Sequence, residues 1–199
     1  MPLPWERPDL PSAFTLEETA RRLGAYRWVE LRLYEAMGGW VPSIPELAVR
    51  VAVGSACRDH AWHAEVWRDR FPDARGFDVD ALTAPAAPAV ADLLAAVAGA
   101  TGTLERLVGA YRVVVPRLVA AYTAHLHHTS AAADGPVARS LRLVIADEVA
   151  AWREGELLVE SLIAAPDDAA RAAAQLGALE AILAPAGGLA GPATLAPRP

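Results

Sequence analysis

The chain is predicted to be all-α, with two helical hairpins joined by a long crossover and short accessory helices alongside. Three observations carry this. Apolar residues recur at three- and four-residue intervals over segments far longer than a strand. No segment shows the strict alternation of a half-buried strand. The two halves also match at an offset of 88 residues, which aligns Asp59 with Asp147 and Tyr34 with Tyr122 and reads as a duplicated hairpin. With 199 residues, 54% of them hydrophobic, one substantial core is enough and a single domain is expected.

Residues 1–14 contain four prolines and are expected to be an extended arm. Thr15, followed by Glu17 and Glu18, has the form of an N-cap with acids in the first turn. The helix it opens should run to about Met37 with Leu16, Ala20, Leu23, Arg27, Glu30, Tyr34 and Met37 on one stripe, ending at Gly38-Gly39. After Pro42 to Pro45, a second helix should span residues 46–71 and stop at Pro72. Residues 72–100 form the crossover, with a short Ala-rich helix near 88–98. A third helix begins at Thr101-Gly102-Thr103 and presents Leu104, Val108, Tyr111, Val115, Leu118, Tyr122 and His125, with a kink expected at Pro116. Asp134-Gly135-Pro136 opens a fourth helix reaching about Ala164, and Pro166-Asp167 opens a fifth reaching about Leu183. The bundle proper is thus assigned to residues 15–184. The Gly- and Pro-rich tail, 185–199, is expected to be disordered.

Composition excludes several functions. All 18 basic residues are Arg, the net charge is −6, the pI is near 5.4 and no arginine cluster occurs, so no nucleic-acid partner is expected. The apolar run at 113–124 is interrupted by Pro116 and Arg117 and falls short of the roughly 20 residues of a membrane span, so no membrane partner is expected either. No secretory signal is recognisable, which leads to an expected cytoplasmic location. The single cysteine, Cys57, allows neither an internal disulfide nor a cysteine zinc site. Trp28, Trp40, Trp62, Trp67 and Trp152 are expected between helices or at the interface of a homodimer.

Against this apolar patterning, three polar residues stand out. The core-facing stripe of the second helix reads Val49, Val53, Ala56, His60, His63, Trp67, and that of the fourth reads Val137, Leu141, Val144, Glu148, Ala151, Gly155, Leu158, Leu162. Buried imidazoles and carboxylates cost several kcal/mol unless paired, hydrogen-bonded or metal-bound. With Glu30 on the first helix, they form a candidate site. Tyr34, Tyr111 and Tyr122 are expected to face the same core, either as packed residues with satisfied hydroxyls or, Tyr122 above all, as groups acting at the site. His125 is expected to reach the site only through a kink at Pro116. His127 and His128, near the helix end, are expected to favour its C-terminal dipole or to face solvent, and Glu65, Glu154, Glu156 and Glu160 read as a solvated face.

Two hairpins, a long crossover and inward acids and imidazoles resemble the ferritin-like di-iron carboxylate family, a four-helix bundle. The resemblance covers residues 15–164. Glu30 matches the family's first-helix Glu. Asp59-His60-Ala61-Trp62-His63 looks like its second-helix motif, with His60 replacing the Glu and His63 kept, and Asp147-Glu148-Val149-Ala150-Ala151 looks like its fourth-helix motif, with Glu148 kept and Ala151 replacing the His. The third-helix carboxylate falls at Leu118. The resemblance implies that both losses strike one iron position, leaving Glu30, His60, His63 and Glu148 around the other, with Asp147 orienting His63.

This implies a small-molecule-transforming enzyme, an oxidoreductase or lyase, holding at most one Fe or Mn ion per chain, its small-molecule substrate in an apolar space near Leu118 and Ala151. The alternative is a metal-free scaffold or ligand-binding relative whose polar core is held by hydrogen bonds, with Arg27 paired to Glu30 and Glu148 paired to the histidines. Iron storage, which needs a metal pair, is not expected.

Overall fold

A computed structural model describes residues 13–192 apart from Ala131. The described chain is all-helical, without a β-strand. Helix α1 (Leu16–Trp40) is followed by a 3-10 turn and α2 (Leu47–Arg68). The crossover carries a single turn, α3 (Val79–Leu82), and α4 (Pro88–Ala98). Next come α5 (Thr103–Leu107), a π-helical segment (Val108–Val114) and α6 (Val115–His127), which continue one another. The chain then returns through α7 (Gly135–Leu162) and α8 (Pro166–Leu183). Helix α1 packs along α2, α6 packs along α7, and α2 meets α7. The short α4 covers α1 and α8, sealing Val90, Leu93, Leu94 and Val97 from solvent. No helix among the described residues is long and apolar enough to cross a membrane.

The start of α1 follows from local chemistry. The Thr15 hydroxyl accepts the Glu18 N–H at 3.1 Å, satisfying one of the helix's free donors. Glu18 in turn is buried, and Arg22, itself buried, donates to it at 2.7 Å. Phe14 lies over the Arg22 guanidinium, 4.4 Å from ring centroid to Cζ, and its N–H donates to the His128 carbonyl. The rest of the expected arm, residues 1–12, lies outside the described residues.

Several expected boundaries move. Helix α1 runs through Gly38-Gly39 to Trp40, because the Trp40 ring is buried and its indole N–H donates to the Ala98 carbonyl at 3.2 Å. Helix α2 ends at Arg68, before Phe71. The irregularity expected at Pro116 takes the form of a π-helical stretch just before it. Proline has no N–H to return into the helix, and widening the preceding turns accommodates that loss. Within that stretch Gly109 lets α4 and α8 close in, since a Cβ there would lie 3.1 Å from Val97 and 3.3 Å from Leu179. The tail expected to be disordered is ordered at its start: Leu189 and Ala190 are buried, and Arg21 donates to the Ala190 carbonyl at 2.9 Å. Residues 193–199 lie outside the described residues.

The stripe on α1 is corrected at three places. Leu16 and Tyr34 are exposed, Tyr34 by 42%, and Arg27 turns away from the core to donate to Thr83 Oγ1 at 2.9 Å. Tyr26, Val29 and Leu33 are buried instead. Helix α1 is covered by α2 on one side and by α3 and α4 on another, so its buried face is wider than one stripe and is shifted toward those residues.

On α7, Gly155 accepts the Tyr111 ring, and a Cβ at this position would lie 2.1 Å from Tyr111 Cγ. Gly155→Ala should therefore cost about 1–3 kcal/mol through overpacking, read as a lower urea midpoint. An unchanged midpoint would contradict this packing.

Candidate metal centre

Glu30 from α1, His60 and His63 from α2 and Glu148 from α7 are each buried and meet between the hairpins. One donor atom from each lies within 4.8 Å of the others. His60 and His63 are three residues apart, so one face of α2 presents both. Both rings turn Nδ1 toward the carboxylates. His60 Nδ1 is 2.6 Å from Glu30 Oε2 and 3.4 Å from Glu148 Oε1; His63 Nδ1 is 3.0 Å from Glu148 Oε1 and 3.6 Å from Glu30 Oε1.

The shells behind these donors differ between the two carboxylates. Glu30 is fully engaged, because the Tyr122 hydroxyl donates to its Oε1 at 2.5 Å and the Trp67 indole N–H donates to the Tyr122 oxygen at 3.3 Å. Among the described residues Glu148 Oε2 has no hydrogen-bond partner although it is buried, and the same holds for His60 Nε2. Asp147 Oδ2 stands 3.5 Å from His63 Nε2, a charge contact rather than a formed hydrogen bond, and its side chain is half exposed.

Charge and burial set the protonation of the cluster. Burial alone would raise the Glu30 carboxyl, but the His60 charge and the hydrogen bonds from both histidines bring it down to about 2. Burial alone would lower both imidazoles, but Glu148 and Glu30 hold their protons, raising His60 to about 10 and His63 to about 11. Without an ion, both histidines are therefore held as imidazolium beside the carboxylates.

All four sequence-predicted ligands meet at this place, with Tyr122 and Asp147 in contact with them. Arg27 contributes nothing to Glu30. Tyr34 is on the outside. Tyr26, not singled out by its spacing, takes the inner place, 4.7 Å from Tyr122 between ring centroids and edge-on to it. Burial pushes the Tyr26 hydroxyl up to about 12, and it donates to the Ala121 carbonyl. His125 is buried but stays out of the cluster. It packs against Phe14 and Tyr26, and burial together with the nearby Arg22 charge lowers it to about 3. His127 is exposed.

Of the two positions where the family resemblance implies lost ligands, Leu118 is completely buried. Ala151 lines a cleft of about 310 Å³ together with Ala56, Asp59, Trp62, Tyr111, Asp147 and Glu154. The space expected near both residues is therefore open on the Ala151 side, and its apolar lining is joined by three carboxylates, Asp59, Asp147 and Glu154. Glu154, expected on a solvated face, is exposed but belongs to this cleft. Gly155, lying among apolar residues of the α7 stripe, was the available signal for the aromatic ring packed across it.

Comparison of the chain with models of known protein families, with curated proteins and with solved structures gave no match.

Proposed function

We propose that the protein is a ferritin-like enzyme of four-helix-bundle architecture that transforms a small molecule, an oxidoreductase or lyase, with one Fe or Mn ion held by Glu30, His60, His63 and Glu148. The observation that supports this best is the buried Glu148 Oε2, a carboxylate oxygen without a protein partner beside two imidazole Nδ1 atoms. Two nitrogens and two carboxylates suit Fe, Mn or Zn. A bound ion would supply Lewis-acid or one-electron chemistry. The chain's own residues prepare the site: Tyr122, backed by Trp67, fixes the Glu30 carboxylate; Asp147 orients the His63 ring; and the histidines release their protons when their Nδ1 atoms are taken as ligands.

The metal-free scaffold is the second reading, favoured by one observation: Glu30 is completely satisfied by His60 and Tyr122. The variants Glu148→Gln and Asp147→Asn separate the two. Asp147→Asn should weaken metal binding about 10- to 100-fold, as expected for a partner behind a ligand, and Glu148→Gln should weaken it further. Titration of both with Fe(II) or Mn(II) measures this. Equal, undiminished binding in both would remove the ion from this cluster.

A further inference from the structure

The cleft beside the cluster has a chemical bias of its own. Three carboxylates, Asp59, Asp147 and Glu154, stand in its lining, and neither arginine nor histidine does. Asp59 is paired with Arg58 at 3.2 Å from outside the cleft, Asp147 contacts His63, and Glu154 forms no ion pair among the described residues. These carboxylates do not converge as metal ligands would: among the described residues the one group whose donors come together closely enough is the Glu30 cluster. Spread charge around a cavity suits a cation larger than a bare ion.

Tyr111 supplies the second observation. It lines the cleft, is 2% exposed, and its hydroxyl has no hydrogen-bond partner among the described residues. A hydroxyl on a buried ring that lines a cavity, with no partner among the described residues, is left able to bond a ligand atom there. Tyr111 sits in the π-helical segment, a feature frequent at functional sites, and its ring crosses α7 where Gly155 leaves room. Trp62, half exposed on the opposite helix, adds an aromatic face, and aromatic faces attract cations. Ala151 adds apolar wall.

We propose that this cleft binds a small organic ammonium ion, a protonated amine with an apolar body. The ammonium lies among Asp59, Asp147 and Glu154, and the body packs against Trp62, Ala151 and the Tyr111 ring. The volume of about 310 Å³ is at the lower end of small-molecule sites and limits the ligand to a compact one. This deepens the proposed function by naming the substrate class, and rests on the cleft being the substrate's seat beside the cluster. The binding itself requires no ion.

The test is calorimetric titration of the full, chelator-treated chain with 2-phenylethylammonium, the neutral 2-phenylethanol and the anionic 3-phenylpropionate. The ammonium should bind saturably and at least about tenfold more tightly than the alcohol, with no binding of the carboxylate. Glu154→Gln and Trp62→Ala, both at exposed positions, should each weaken the ammonium several-fold. Glu35→Gln, on α1 away from the cleft, should leave it unchanged. Equal affinity for amine and alcohol, or equal weakening by Glu154→Gln and Glu35→Gln, would overturn the proposal, the latter by showing general attraction to an anionic chain. Amine binding that persists in a chain unable to take up Fe(II) or Mn(II) would refute the metal reading alone.

Discussion

Replacing His63 by alanine is expected to abolish metal binding and to destabilise the metal-free chain by about 3–5 kcal/mol, the usual cost of breaking a buried charge pair by removing one partner. His63 is 2% exposed, its Nδ1 faces Glu148 at 3.0 Å, and its Nε2 faces Asp147. Without the ring, Glu148 keeps only the 3.4 Å contact with His60 and retains its unpartnered Oε2. His127→Ala is the control, an exposed imidazole outside the cluster, and should change neither property. Urea unfolding and metal titration of the two variants give the comparison. Equal behaviour would sink the assignment of the cluster.

The second large effect is the loss of the alkaline pH dependence when metal binds. Without an ion, His60 and His63 bind protons in the folded chain up to about 10 and 11, against an ordinary value of 6.5. Their contribution is complete below pH 6.5 and is lost as pH rises toward those values, because the folded state then holds protons that the unfolded state has released. Glu30, brought down to about 2 from 4.5, acts on the other side: its contribution is complete above 4.5 and lost as pH falls toward 2. His125, lowered to about 3, adds to the acid loss between 6.5 and 3. The metal-free protein should therefore be most stable near pH 6.5. Once an ion occupies the Nδ1 atoms, folded His60 and His63 carry no extra proton, and the alkaline decline disappears. Urea midpoints at pH 7 and pH 9, with and without Mn(II), reveal the difference. Parallel declines in both forms would mean that the ion does not displace these protons.

The four cluster residues were legible because each is a polar residue in a largely apolar helical stripe, a pattern that survives small errors in helix ends. Thr15 as N-cap and the span of α8 were legible for a similar reason, since capping and proline signals are local. Tyr34 and Arg27 were misplaced because α1 is covered by α4 and α3 as well as by α2, and spacing alone cannot weigh two covering surfaces. The match of Tyr34 to Tyr122 at the 88-residue offset strengthened that error, although only Tyr122 is buried. The π-helical segment was signalled by Pro116, but its position depends on Gly109 meeting α4 and α8, a tertiary contact. The cleft was hidden because its acids stand at half-exposed positions, where a carboxylate ordinarily reads as solvated surface.

The ion itself decides most directly between an enzyme centre and a polar core. Elemental analysis should be made of the full chain purified from cells supplied with iron and manganese, with melting followed before and after chelation. One transition-metal ion per chain at most, with a lower Tm once it is removed, is the predicted result. Two irons per chain coupled through a bridge would contradict the alignment that puts missing ligands at Leu118 and Ala151. A metal-free chain whose combined Glu30→Leu, His60→Leu, His63→Leu and Glu148→Leu variant melts at or above the parent temperature would contradict the metal centre altogether.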